Sequence, residues 1–402
     1  MKSELSTDSP WALFAGLIAA LALLAFLSRG DGLDAATKER PRNPLLEVHL
    51  RNLPAREPLP LDIEGLWELR DADGTYLARD TGMRGWLELR PEGLSVGGWM
   101  VDADHVVLQA FGDAALAVDT YHYRGRLHLR QRREEGERFL QLSLELPLED
   151  YVLGVLIGEM STQVRGVDAA LQAQAIAART YVVEQLRRGR SMIRSTVADQ
   201  RFLSADFETQ AARDAVLATT GLVLKHEGRL IPAYFHADCG GRTSDGLLHE
   251  FGKSPVLRGV PDVGPAAHLS RSRNWQEFVP AKKLDRIARA LGLGDYAMGL
   301  DILERDEAGR VVKARFTGPD GERTLPGDRM RAELGLPSAM ISLMGVLADG
   351  SLRVEGIGAG HGIGLCQLGA LELARNGRDV RAILAHYYPG AEIAVLTDPV
   401  QP

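Results

Sequence analysis

The spacing of hydrophobic positions changes along the chain, and the changes divide it into parts. From 46 to 147 apolar and polar residues alternate in short runs such as "GWLELR" (85–90), "GRLHLR" (125–130) and "FLQLSLEL" (139–146). In the last run Leu140, Leu142, Leu144 and Leu146 share one face, as a half-buried strand requires. Asp73-Gly74 stands where a hairpin would turn, so this part is expected to be β-rich. Helical spacing takes over at "LEDYVLGVLIGEM" (148–160) and again over 167–188, where Leu171, Ala175, Ala178 and Val182 make a stripe and Asp168 is available as N-cap. Further helices are expected over 209–221 and 280–293, a strand over 229–237, an irregular polar stretch to about 275, and hairpins at Asp320-Gly321 and Asp349-Gly350. Helices and strands interleaved in this way predict an α+β fold, in which a helical region carrying a glutamate packs with mixed or antiparallel β structure.

The N-terminus adds a different element. Trp11 to Leu27 is a run of 17 uncharged, almost wholly apolar residues, the lower limit of a membrane-spanning helix. The chain therefore divides into a cytoplasmic tail (1–10), a transmembrane anchor or signal segment (11–28), a charged linker (29–45) and the β-rich and helical parts (46–147 and 148–395). "LLAFLSRG" offers no small-x-small cleavage site, which favours an anchor. A net charge of −7 argues against nucleic-acid binding, which needs clustered lysine and arginine. The local basic runs at 124–133 and 187–194 read as solvated strand edges and helix ends.

Three stretches carry candidate chemistry. Glu159 is placed at the end of a helix, where the partial negative charge of the C-terminus disfavours the carboxylate and raises its pKa, as a proton donor needs. "YFHADCGGRTSD" (234–245) delivers His236 and Cys239 into a Gly-Gly turn. In "GAGHGIGLCQLGA" (358–370) glycines surround His361 and precede Cys366; neither phosphate-loop pattern fits, and alternating glycine suits backbone that approaches something closely. The chain has two cysteines. In an exported protein they are expected to form a disulfide, with a zinc site built from His236, Cys239, His361 and Cys366 as the alternative.

Five segments, "LPLEDYVLGVLIGEM", "ALQAQAIAARTY", "YFHADCGGRT", "GAGHGIGLCQLGA" and "ILAHYYPGAEI", occur in the order and near the spacing of the SpoIID/LytB family (stage II sporulation protein D), which the chain resembles over about residues 84–395. The resemblance implies an extracytoplasmic lytic transglycosylase, a lyase that cleaves peptidoglycan glycan strands and prefers strands stripped of stem peptides. The β-rich 46–147 would then be the N-terminal part of the family domain, and 148–395 its catalytic region. Glu159 matches the family's catalytic acid/base, with Ser161 where a proline is common. His236, Gly240, Gly241 and Thr243 match one family motif, and His361 with Gln367 another; these residues would bind the sugars, the glycines letting backbone pack against a sugar face.

Serine often stands where this chain has Cys239 and Cys366, which strengthens the disulfide or shared-metal expectation. Some relatives hold zinc through a local cluster of cysteines and histidines, whose second local cysteine is absent here. No cofactor is required by the implied reaction, although zinc fits the alternative of a zinc-dependent wall hydrolase. The implied partners are glycan strands, a peptidoglycan amidase and a membrane crossed by 11–28. The implied location is the cell membrane, single-pass, with everything after about residue 29 outside, or secretion if the segment is cleaved. The competing implied role is non-catalytic, a wall binder that enhances an amidase.

Overall fold

A computed structural model describes residues 43–54, 58–112, 116–196, 199–249, 254–262 and 274–397. The expected tail and membrane segment, and the linker up to residue 42, lie outside these residues. Among the described residues no helix is long and apolar enough to cross a membrane.

Among the described residues the alternating run from 46 to 147 supplies ten strands of one eleven-stranded sheet. Its centre is the antiparallel series Leu45–Pro54, Glu137–Pro147, Arg126–Glu134, His105–Ala110, Leu59–Asp71 and Tyr76–Arg90. The leucines from 140 to 146 are all buried, and Leu140 and Leu142 join Trp67, Leu69, Leu108 and Leu127 in the core. Each such leucine withdrawn from water contributes about 2 kcal/mol. The basic run at 124–133 is not a strand edge, because Arg126–Glu134 has a neighbour on both sides. Its arginines are tolerated there because they meet carboxylates: Arg126 bonds Glu145 at 3.2 Å, and Arg130 pairs with Glu47. The run at 187–194 does end a helix and supplies the short edge strand Ile193–Arg194.

Glu137–Pro147 passes directly into helix α1 (Leu148–Glu159), because Pro147 supplies the fixed φ that a helix entry accepts and cannot extend the ladder. Helix α2 (Asp168–Arg187) lies at the centre and is buried on nearly every side from Ala170 to Leu186, not only along the expected stripe. Asp168 is its first residue, not its cap; Val167 holds that position without a side-chain hydrogen bond. The buried Arg179 of α2 donates to Glu149 of α1 at 2.9 Å and to the Leu222 carbonyl at 3.0 Å, locking both helices to the strand Leu222–His226. Helix α3 (Gln210–Ala218) starts at a Thr209 cap. The strand expected over 229–237 is broken into Arg229–Leu230 and Phe235–His236, since Pro232 has no N–H for a ladder.

Residues 274–357 build a second hydrophobic cluster from two three-stranded sheets, helix α4 (Ala281–Ala290) and helix α5 (Gly327–Leu334), around Trp275, Phe316, Met330 and Val354. Both expected hairpins are present, turning between Val311–Gly318 and Gly321–Pro326 and between Ile341–Val346 and Leu352–Ile357. The chain then returns through the glycine-rich segment to helix α6 (Gln367–Arg375) and helix α7 (Val380–Tyr387). The architecture is mixed α+β, as the interleaved pattern predicts.

Candidate active site

Glu159 is the last residue of α1 and half-buried. Its position depends on two glycines one turn apart. A Cβ on Gly154 would lie 2.3 Å from the Phe202 ring, and one on Gly158 would lie 2.2 Å from the Arg201 carbonyl oxygen. Without side chains there, residues 201–203 lie directly across the helix, and the Arg201 N–H donates to Glu159 Oε1 at 2.7 Å. Gln367, buried at the start of α6, donates from Nε2 to Glu159 Oε2 at 3.2 Å. Burial raises the Glu159 pKa, and these two donors oppose the rise without cancelling it. The direction is the one the sequence predicts, with burial as the leading cause.

The two motifs that flank residues 274–357 in sequence meet in space. Phe235–His236 runs parallel to Leu365–Cys366, and further bridges join Asp238 to Ala359 and Ser244 to Ile363. The alternating glycines make this possible. Gly358, Gly360, Gly362 and Gly364 all have φ between 71° and 96°, and a Cβ on them would strike the Asp238 carbonyl, His236 Cβ, Arg310 Nε and the Tyr234 carbonyl. These contacts correct the expectation that the glycines open a face to a sugar: they close against the protein's own backbone.

His236 is buried, with Nδ1 3.2 Å from the Ile363 carbonyl and Nε2 without a partner. Burial holds its pKa well below the usual imidazole value. His361 keeps partial exposure beside Tyr234 and His236, at ring-centroid distances of 5.9 Å and 5.5 Å. Its Nδ1 accepts the Ile363 N–H at 3.1 Å, and burial pushes its pKa down to about 3, so the ring is neutral. Cys239 and Cys366 meet as expected, but both are free thiols and the expected disulfide is not formed. The Nε2 or Nδ1 of His236 and the two sulfurs lie within 4.8 Å of one another; His361, named with them as a zinc ligand, is outside this group.

Thr243 lines a small cavity with Arg242, Ser244 and Asp306. It is buried, and its hydroxyl accepts the Val260 N–H at 2.8 Å, so it holds the loop in place. Gly240 and Gly241 have φ of 77° and 118°; the first makes room for Met340, and the N–H of the second donates to Cys239 Sγ at 3.2 Å. The Arg201 backbone has no signal in its own segment, although the Gly154 and Gly158 spacing signals a close approach. No motif marks Asp262, whose carboxylate accepts from Tyr387 Oη at 2.9 Å and from Cys239 Sγ at 3.1 Å, or the buried Arg310, which donates to the Cys239 carbonyl at 2.6 Å. A cavity of about 610 Å³ lined by Glu68, Arg70, Arg126, His128 and Glu145 belongs to the N-terminal sheet, and none of the residues above lines it.

Comparison with known proteins finds likeness to one family. The SpoIID family of stage II sporulation proteins matches residues 137–226, which hold α1, α2 and Glu159. Stage II sporulation protein D of Bacillus amyloliquefaciens is 28% identical over 274 residues, 62% of this chain and 74% of that protein. An uncharacterized protein of Brachyspira hyodysenteriae is 29% identical over 264 residues, covering 62% and 67% of the two chains. The amidase enhancer of Bacillus subtilis is 25% identical over 272 residues, 38% of its length. The chain is thus similar to the SpoIID family through its glutamate-bearing helical part, and to stage II sporulation protein D over 62% of its length.

Proposed function

We propose that the protein is a peptidoglycan lytic transglycosylase in which Glu159 is the single general acid/base. The observation that carries this reading is the environment of that carboxylate: partly buried, raised in pKa, and contacted by two neutral donors that fix its orientation. A raised pKa keeps the carboxyl protonated to higher pH than an ordinary glutamate, the direction a general acid needs. Ordinary glycosidases need a second carboxylate to activate water or to attack the sugar. A transglycosylase does not, because the substrate provides the nucleophile.

In this mechanism the Glu159 carboxyl protonates the glycosidic oxygen as its bond to the muramyl C1 breaks. The C6 hydroxyl of the same sugar attacks C1, and its proton passes to the Glu159 carboxylate. The products are a 1,6-anhydro-muramyl end and a free hydroxyl on the departing strand, and the acid is regenerated without water. His361, neutral and partly exposed, is the sugar-contacting candidate of the second motif, and Gln367 acts through Glu159 as a positioning residue. His236, Gly240, Gly241 and Thr243 support the site from behind. Such a reaction requires the described residues to lie on the wall side of a membrane.

The likeness to an amidase enhancer favours one other reading, a wall-binding protein that stimulates an amidase without cleaving glycan. Incubating the full-length chain and its Glu159→Gln variant with amidase-treated glycan strands separates the two. The expected result is anhydro-muramyl ends from the wild type alone, detected by mass spectrometry. Intact strands from both proteins would move the assignment to the enhancer, and equal cleavage by both would remove Glu159 from the mechanism.

A further inference from the structure

We propose that His236, Cys239 and Cys366 bind a zinc ion that ties the 239–241 turn to the first turn of α6. One ring nitrogen of His236 and the two sulfurs lie within 4.8 Å of one another, and all three side chains are buried. Tetrahedral zinc with its usual bond lengths holds sulfur and nitrogen ligands about 3.6–3.8 Å apart, so small side-chain rotations suffice to close the site.

The histidine already has the tautomer that a metal needs. A carbonyl oxygen only accepts, so the 3.2 Å contact from Nδ1 to the Ile363 carbonyl fixes the proton on Nδ1 and leaves a lone pair on Nε2. That nitrogen is buried without a partner, an unfavourable state that a coordinated cation removes. A backbone carbonyl on the far ring nitrogen is the usual outer partner of a metal-bound histidine.

Both sulfurs accept backbone N–H groups, while as thiols Cys239 Sγ donates to Asp262 Oδ2 at 3.1 Å and Cys366 Sγ lies 3.9 Å from the Ala237 carbonyl. Cys239 Sγ receives the Gly241 N–H at 3.2 Å, and Cys366 Sγ receives the N–H groups of Cys239 and Gly369 at 3.3 and 3.4 Å. Cys366 also caps the N-terminus of α6, where the helix dipole favours an anionic sulfur. Two thiolates balance one divalent cation, and a thiolate–imidazole donor set selects zinc among the divalent ions of oxygen-rich sites. Asp262 stands 3.1 Å from Cys239 Sγ, within reach as an outer partner or a fourth ligand. Glu159 is not part of the donor set, so the ion is structural. Its consequence is positional, because Gln367 follows Cys366 directly and reaches Glu159.

The test uses the full-length chain purified without chelator. Elemental analysis should find zinc bound in about equimolar amount, and cobalt exchanged into the site should show the thiolate-to-metal absorption of tetrahedral coordination. Cys239→Ser and Cys366→Ser should each lower zinc affinity by more than about 100-fold, beyond the loss caused by removing an outer partner. Serine is also a good N-cap, so Cys366→Ser should keep α6 and its circular dichroism. If a variant fails to fold, the cobalt spectrum of the wild type still decides. A Cys239–Cys366 disulfide in the native protein, a thiol-bearing protein that takes up no zinc, or serine variants that bind zinc as the wild type does would overturn the proposal. No glycan enters these measurements, so they stand or fall separately from the transglycosylase assay.

Discussion

Raising the pH should weaken the fold at His249. Its ring is held from both sides, Nε2 lying 3.1 Å from Asp306 and Nδ1 3.1 Å from Asp328, with only 1% of the side chain exposed. Burial alone would lower its pKa, but the two carboxylates outweigh burial and raise it from 6.5 to about 9. A folded-state pKa above the unfolded one means that folding takes up a proton between the two values. The stabilisation is therefore complete below about pH 6.5 and is lost as pH climbs through about 9. The interval between 6.5 and about 9, at about 1.36 kcal/mol per pH unit, corresponds to about 3 kcal/mol. Urea unfolding of the wild type and of His249→Gln at several pH values checks this, because the difference between the two proteins cancels other titrating groups. The wild-type advantage should shrink by about 3 kcal/mol from pH 6 to pH 10, and the His249 ring should titrate near 9 by NMR. An advantage that stays constant over that range, or a ring that titrates near the ordinary value, would refute the reasoning.

Two further substitutions probe the site. Gly362→Ala should cost more than about 2 kcal/mol in thermal unfolding, because a left-handed backbone conformation and a Cβ 2.0 Å from Arg310 Nε combine there. Gly377→Ala, with a similar φ and open space around it, is the control and should cost only about 1 kcal/mol. Gln367→Met removes a donor to the Glu159 anion, so the carboxyl pKa should rise further and anhydro-end release should persist to higher pH than in the wild type. An unmoved alkaline limb would show that Gln367 has no hold on the acid.

Local periodicity was legible in the sequence wherever one face of an element is buried against one neighbour. The alternating leucines of 140–146 became a buried strand face, and α1 ends at Glu159 as its spacing predicts. Legibility failed where several neighbours converge. Helix α2 is enclosed on nearly all sides, so the alanine stripe that reads as one packing face is only part of the contact. Thr243 sits in a motif beside His236, and the bond its hydroxyl accepts from Val260, 17 positions on, has no signal in that motif. The glycine alternation correctly announced a close approach but could not name the partner, because Asp238, His236 and Arg310 enter that interface from elsewhere in the chain.

The acid shows why such partners matter more than the helix end on which the carboxylate sits. Arg201 and Gln367 are 42 and 208 positions away from Glu159, and neither carries a local signal of its role. Each is delivered by a separate device: Gly154 and Gly158 let the Arg201 segment rest on α1, and the Cys366 cap starts α6 with Gln367 in reach. Both donors favour the anion, so the raised pKa is a balance in which burial exceeds two hydrogen bonds. A solvated glutamate at a helix end, the ordinary outcome for this pattern, would have neither term. The raised pKa of Glu159 therefore arises from tertiary packing, and a substitution at Gly158 that displaces the Arg201 segment acts on it as directly as one at the carboxylate's own neighbours.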